Sequence, residues 1–213
     1  MLLSKYLKTT SIKKGVKMSE MKGGSVLFFV RHGKYEGNIG QVCLIDELGP
    51  HLSSVGREET ASFAKKIAQL QVPSVYCGLS HRAKETARII SQANVHCPPL
   101  NEDPRVGPMI VDYRGADIIA LTSSPQAGYD QVERAWFEGR LPSIEPPLDF
   151  YNRVAGFLEE MRDASGNLLV VAHWETLRAA IAYSNNITFT NLNTLPAIAG
   201  RALHNQLYSF VLS

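Results

Sequence analysis

Two short apolar runs, each broken off by a histidine, constrain the fold of this chain most. Ser25-Val26-Leu27-Phe28-Phe29-Val30 leads straight into Arg31-His32-Gly33, and Leu168-Leu169-Val170-Val171-Ala172 leads straight into His173. A strand with no polar alternation has both faces covered, as parallel strands inside α/β proteins do. Between and around these runs, apolar spacing predicts helices. One covers 57–71, where Phe63, Ala64, Ile67 and Leu70 form a stripe that ends before Pro73. Others cover 82–92, 129–138, 148–163 and 175–184. Further short strands are predicted at 74–77, 95–97 and 206–212. Residues 98–127 hold five prolines and no clear period, and read as a lid or rim. No internal repeat is present.

Strands alternating with helices predict an α/β fold: a three-layer α/β/α sandwich around a mostly parallel sheet. In such open sheets, sites lie beyond the carboxyl ends of the strands. His32 and His173 are therefore expected to share one cleft, although 140 residues separate them.

Composition removes several alternatives. The 213 residues suit one domain over 25–213, preceded by a tail over 1–24. With 45% hydrophobic and 20% charged residues, the chain is ordinary for a globular protein, and no apolar run approaches the roughly 20 residues of a membrane span. A net charge of +2 gives no support to a nucleic-acid partner. The tail holds six lysines and one glutamate, a net of 6 − 1 = +5. It reads as a basic, disordered extension. Its lack of Arg and its Gly15, Gly23 and Gly24 argue against a transit helix, so a cytoplasmic location is expected, with organelle targeting left open. Cys43, Cys77 and Cys97 are odd in number and lack zinc-site spacing, which fits reduced thiols. No His, Cys and carboxylate set has metal-ligand spacing, and a homodimer is left open.

The chemistry is carried by three segments in order. Arg31-His32-Gly33 caps the first strand, with Asn38 six positions after His32. Arg82-Ala83-Lys84-Glu85-Thr86-Ala87 opens a helix. His173 caps the later strand, with Arg178 five positions on. Leu52-Ser53-Ser54-Val55-Gly56 precedes a helix, and Asn205 leads into the final strand. Taken together, these segments resemble the histidine phosphatase (phosphoglycerate mutase-like) superfamily over roughly residues 25–212.

That resemblance implies a metal-independent, cofactor-free phosphomonoester hydrolase that acts through phosphohistidine on a small phosphorylated substrate. It makes His32 the nucleophile and, when protonated, His173 the stabiliser of the equatorial charge. Arg31 and Arg82 clamp the phosphoryl group, with Asn38 as a neutral donor. The residue types suit this chemistry, since forked guanidinium donors match phosphate oxygens and a neutral imidazole in line can attack phosphorus. Phosphoglycerate mutase-type transfer and a phosphate-binding module with a weakened site are the alternatives. Arg178 reads as a structural ion-pair partner, the cysteines as small buried hydrophobes, and His51, His81, His96 and His204 as surface or packing residues.

Three departures from the family pattern stand out. Lys34 occupies a position that is commonly acidic. Trp174 replaces the glycine after the second histidine, where it is strained if φ is positive, or otherwise shapes the pocket or stacks on substrate. The general acid is ambiguous. Leu100-Asn101-Glu102 fits one alignment and makes Glu102 the acid; another leaves Gly107 or Pro108 near that position with Asp112 the nearest following carboxylate; a third outcome is no acid from this segment.

Overall fold

The computed structural model describes residues 26–35, 49–112, 129–164, 166–184 and 204–211. In chain order the elements are β1 (Val26–Arg31), α1 (Ser54–Lys66), β2 (Val75–Cys77), α2 (His81–Ala93) and β3 (Leu100–Glu102). A one-turn 3₁₀ segment follows at Pro104–Val106. Then come α3 (Tyr129–Phe137), α4 (Pro147–Arg162), β4 (Leu168–Ala172), α5 (Trp174–Ser184) and β5 (Leu207–Val211). The five strands form one sheet in the order β3-β2-β4-β1-β5. All neighbours run parallel except β5, which is antiparallel to β1.

Alternation along the strands builds the three layers. Leu27 and Phe29 of β1, with Leu168 and Val170 of β4, pack against Phe150, Val154, Phe157 and Leu158 of α4 and Leu177 and Ile181 of α5. Val26, Phe28, Val30, Leu169 and Val171 face the other way, onto Phe63, Ala64 and Ile67 near α1 and Ala83, Ala87 and Ile90 of α2. An uninterrupted apolar run is what a strand covered on both faces requires. Serine hydroxyls start the first two helices: Ser53 Oγ accepts from Gly56 N at 3.0 Å, and Ser80 Oγ accepts from Ala83 N at 3.3 Å. Pro147 opens α4, where its missing N–H costs nothing. Among the described residues, no helix is long and apolar enough to cross a membrane.

The strand expected at 95–97 is absent. These residues turn instead, with Cys97 at φ 42° and Cys97 N donating to Asn94 O at 3.1 Å. Pro98 and Pro99 have no N–H for a ladder, so β3 begins only at Leu100; Pro99 contributes its carbonyl, accepting from Val75 N at 2.9 Å. The tail over 1–24 and residues 113–127 of the 98–127 stretch lie outside the described residues.

The end of β1 is wedged against α1. Ser53 N donates to Lys34 O at 3.1 Å, and a Cβ added to Gly56 would overlap that same carbonyl. Both contact atoms belong to backbone, so neither can step aside cheaply. Gly56→Ala is therefore expected to lower stability by about 1–3 kcal/mol, measured as a fall in the denaturant midpoint at unchanged slope.

Candidate active site

The β1–β4 register decides the site. Arg31 lies opposite Ala172, so the next residue on each strand is a histidine at the same edge of the sheet. His32 N donates to Ala172 O at 3.0 Å, and the two imidazole centroids stand 4.9 Å apart. Both rings are buried.

The first turn of α2 closes over this pair. Arg82 Nε donates to His32 Nε2 at 3.4 Å, and Arg82 Nη2 reaches His173 Nδ1 at 3.4 Å. A guanidinium only donates, so each of those ring nitrogens presents a lone pair. His32 then carries its proton on Nδ1, which donates to Gly33 O at 2.8 Å. His173 carries its proton on Nε2 and donates to Ser80 Oγ at 3.1 Å. Ser80 thus caps α2 and sets the tautomer of His173, a role that its plain position between Leu79 and His81 did not signal.

The remaining motif residues hold this arrangement in place. Thr86 is buried; its hydroxyl accepts from Gly33 N at 3.0 Å and donates to Arg82 O at 2.7 Å. Ala83 and Ala87 let α2 lie close on the sheet. Gly33 has no room for a side chain, because a Cβ there would strike the Thr60 hydroxyl. Gly49, at φ 68°, lets the backbone pass directly over the Arg82 guanidinium. The Arg82 guanidinium also sits over the Tyr35 ring, 5.1 Å from its centroid, and that ring is 5.7 Å from His32.

The other expected site residues are placed as follows. Arg31 ends β1 and acts electrostatically on His32, His173 and His204. Asn38 lies outside the described residues. Glu102 ends β3 and pairs with Lys84 Nζ at 2.7 Å, with half its side chain exposed. The structure does not bring its carboxylate into contact with either histidine. Asp112 is exposed, and its backbone N donates to Ser143 O at 2.7 Å.

Val106-Gly107-Pro108 comes up against the segments that carry His173 and Ser80. A Cβ on Gly78 would lie 2.7 Å from Gly107 Cα, and Thr176 Oγ1 donates to Gly107 O at 3.0 Å. Arg153 pins this loop by donating to Arg105 O at 2.7 Å and Pro108 O at 2.6 Å, while Glu145 holds the guanidinium from behind at 2.7 Å.

Two departures from the motif resolve structurally. Trp174 is the first residue of α5 and does not adopt a positive φ, so its backbone is unstrained. Its indole is buried in the core, with the Arg178 guanidinium over it at 5.5 Å. Arg178 pairs with Glu133, which is the structural role expected of it. Lys34 pairs with Glu59 at 2.7 Å. Sequence reasoning missed His204: it was expected at the surface or in packing, yet its Nδ1 donates to His32 O at 2.7 Å. Only its adjacency to Asn205 hinted at this.

The electrostatics are one-sided. Burial, then His173, Arg82 and Arg31, hold His32 well below the ordinary imidazole range. Burial, then Arg82 and Arg31, do the same to His173. Burial brings His204 down to about 4. Neutral imidazoles facing guanidinium groups form a site suited to an anion. Among the described residues, no group of three or more His, Cys, Asp or Glu is arranged to hold a metal ion.

This geometry places the chain in a known class. The sequence profile of the histidine phosphatase superfamily (branch 1) matches residues 27–203, and the chain belongs to that family. A Hydrogenobacter thermophilus protein provisionally named phosphoserine phosphatase 2 is 27% identical over 172 residues, covering 78% of this chain and 81% of that protein. Among solved structures, a mycobacterial glucosyl-3-phosphoglycerate phosphatase superposes with a TM-score of 0.67 at 17% identity, over 89% of this chain and 97% of its own. A phosphoglycerate mutase from Bacillus anthracis str. Sterne gives 0.63 at 16%, over 90% and 92%. At these identities the solved structures establish the shared fold alone.

The histidine cluster has a consequence for stability. An unfolded histidine titrates near pH 6.5, whereas the folded groups resist protonation. The unfolded chain therefore binds more protons as pH falls below 6.5, and stability present above that pH is lost toward the folded values, by up to about 1.4 kcal/mol per histidine per pH unit. The melting temperature should fall from pH 7 to pH 4.5. His173→Gln, with one such histidine fewer, should show a shallower fall; equal slopes would remove His173 from the effect.

Proposed function

We propose that the chain hydrolyses phosphomonoesters of small substrates through a phosphohistidine formed on His32. The observation that carries this is the neutral Nε2 lone pair of His32, held beside Arg82 and 4.9 Å, ring to ring, from His173. In the first step Nε2 attacks phosphorus, the P–N bond forms, and the ester P–O bond breaks. The leaving oxygen takes a proton from a general acid or from water. In the second step water attacks phosphorus and returns a proton to the base left by the first step, the P–N bond breaks, and inorganic phosphate departs as His32 regains its lone pair. Arg31 and Arg82 offset the charge on the phosphoryl oxygens. A bound dianion also favours a proton on His173, which burial and the nearby guanidinium groups otherwise disfavour. The name of the Hydrogenobacter thermophilus relative, provisionally a phosphoserine phosphatase, supports hydrolysis over transfer.

Turnover of p-nitrophenyl phosphate, with an acid-labile, base-stable phosphoryl group trapped on His32, tests this reading. His32→Ala should abolish both signals. Arg82→Lys should lose roughly 10²-fold or more in kcat/KM, because one point charge cannot replace a forked donor. Near wild-type kinetics in either variant would contradict the mechanism.

A second reading, a phosphate-binding module with a disabled acid, draws on the Glu102–Lys84 ion pair. Glu102 acts as the acid only if its carboxylate leaves Lys84 when substrate binds. In that case Glu102→Gln should slow alkyl esters by about 10²-fold and leave nitrophenyl esters nearly unchanged. An equal effect on both would exclude Glu102 as proton donor. Absence of alkyl ester turnover in the parent chain would favour the binding module.

A further inference from the structure

We propose that His204 is a positioning residue for the nucleophile: its Nδ1–H donates to the His32 carbonyl and so locks the peptide that selects the tautomer of His32. This inference rests on the reading of His32 as nucleophile. The β1–β5 ladder runs as far as Val30 opposite Leu207, and one further backbone bond follows, from Asn205 N to Arg31 O at 3.1 Å. At the next carbonyl along β1 the imidazole of His204 takes over, with Nδ1 2.7 Å from His32 O.

The same peptide is gripped from its other end, where Gly33 N donates to Thr86 Oγ1 at 3.0 Å. With that plane held, the next carbonyl, Gly33 O, faces His32 Nδ1 at 2.8 Å. The proton is thereby kept on Nδ1, and Nε2 keeps the lone pair that attacks. Rotation of the His32–Gly33 peptide would move that acceptor and let the proton pass to Nε2.

The turn that carries His204 is itself built for this. Asn205 adopts φ 54°, and its side-chain amide meets the Thr60 hydroxyl on α1 at 3.1 Å. The His204 ring stands 5.2 Å from that of His32. Burial keeps His204 at about 4, so it remains a neutral donor and adds no cation beside the nucleophile.

His204→Asn and His204→Phe separate positioning from packing. The asparagine amide can place a donor near the Nδ1 position, whereas phenylalanine keeps the ring volume without a donor. With ¹⁵N-labelled histidine, NMR should show His32 protonated on Nδ1 in the parent chain and in His204→Asn, but mixed between nitrogens in His204→Phe. On p-nitrophenyl phosphate, His204→Phe should lose roughly 10- to 10²-fold in kcat, with KM within about twofold, and His204→Asn should keep most of its kcat. Should His204→Phe not fold, His204→Leu gives the donorless comparison and is read in the same way. Parent-like kinetics and tautomer in the donorless variant, with an impaired His204→Asn, would overturn the proposal in favour of packing. If the parent chain shows no turnover, the proposed function fails, while the tautomer comparison still decides the role of His204.

Discussion

The parallel ladder between β1 and β4 is the interaction on which the site depends. Its register sets Arg31 opposite Ala172, and a shift of one residue would turn each histidine to the other face of the sheet. The register is held by apolar burial on both faces, with Leu27 and Phe29 sealed under α4 and α5 while Phe28 and Val30 face α1 and α2. Most of that burial lies away from the chemistry. The rigid part of the molecule thus sets the spacing of two groups that a loop could not hold as firmly.

The site built on this ladder is electrostatically one-sided. Two buried imidazoles face Arg82, and a third stands behind His32; their shared preference for the neutral form follows from burial and from cations on the same side. Under the proposed function, a phosphoryl group would supply the balancing negative charge. Such a site favours an anion and keeps His32 unprotonated in its absence. The tautomers are governed from outside the cleft, by Gly33 O for His32 and by Ser80 for His173. The chain after β3 approaches through backbone at Gly107, pinned by Arg153 and Thr176, while Glu102 stays on the edge strand with Lys84.

Much of the fold was legible because it is written in local periodicity. The apolar runs at 25–30 and 168–172 became β1 and β4, and the stripes over 148–163 and 175–184 became α4 and α5 within a residue or so. The strand expected at 95–97 was misplaced because Val95 and His96 sit in a turn, and two prolines delay pairing until Leu100. Trp174 was weighed as a strained or substrate-facing residue, and became a core residue because α5 starts there and carries the indole inward. Beyond its adjacency to Asn205, His204 carried no local signal, since its contact with His32 O joins residues 172 apart in the chain.

The sequence by itself determined the layer architecture, the two histidine-capped strands and the helix that opens with Arg82, since each follows from residue type and spacing within one segment. Tertiary structure alone decided which atoms meet. The lone pair on His32, the proton on His173, the pairing of Glu102 with Lys84 and the contact from His204 all join residues distant in the chain. The physical reason is that periodicity reports which face of an element is buried. Hydrogen-bond partners and protonation states depend on the neighbours that packing brings to that face, and on the water it removes.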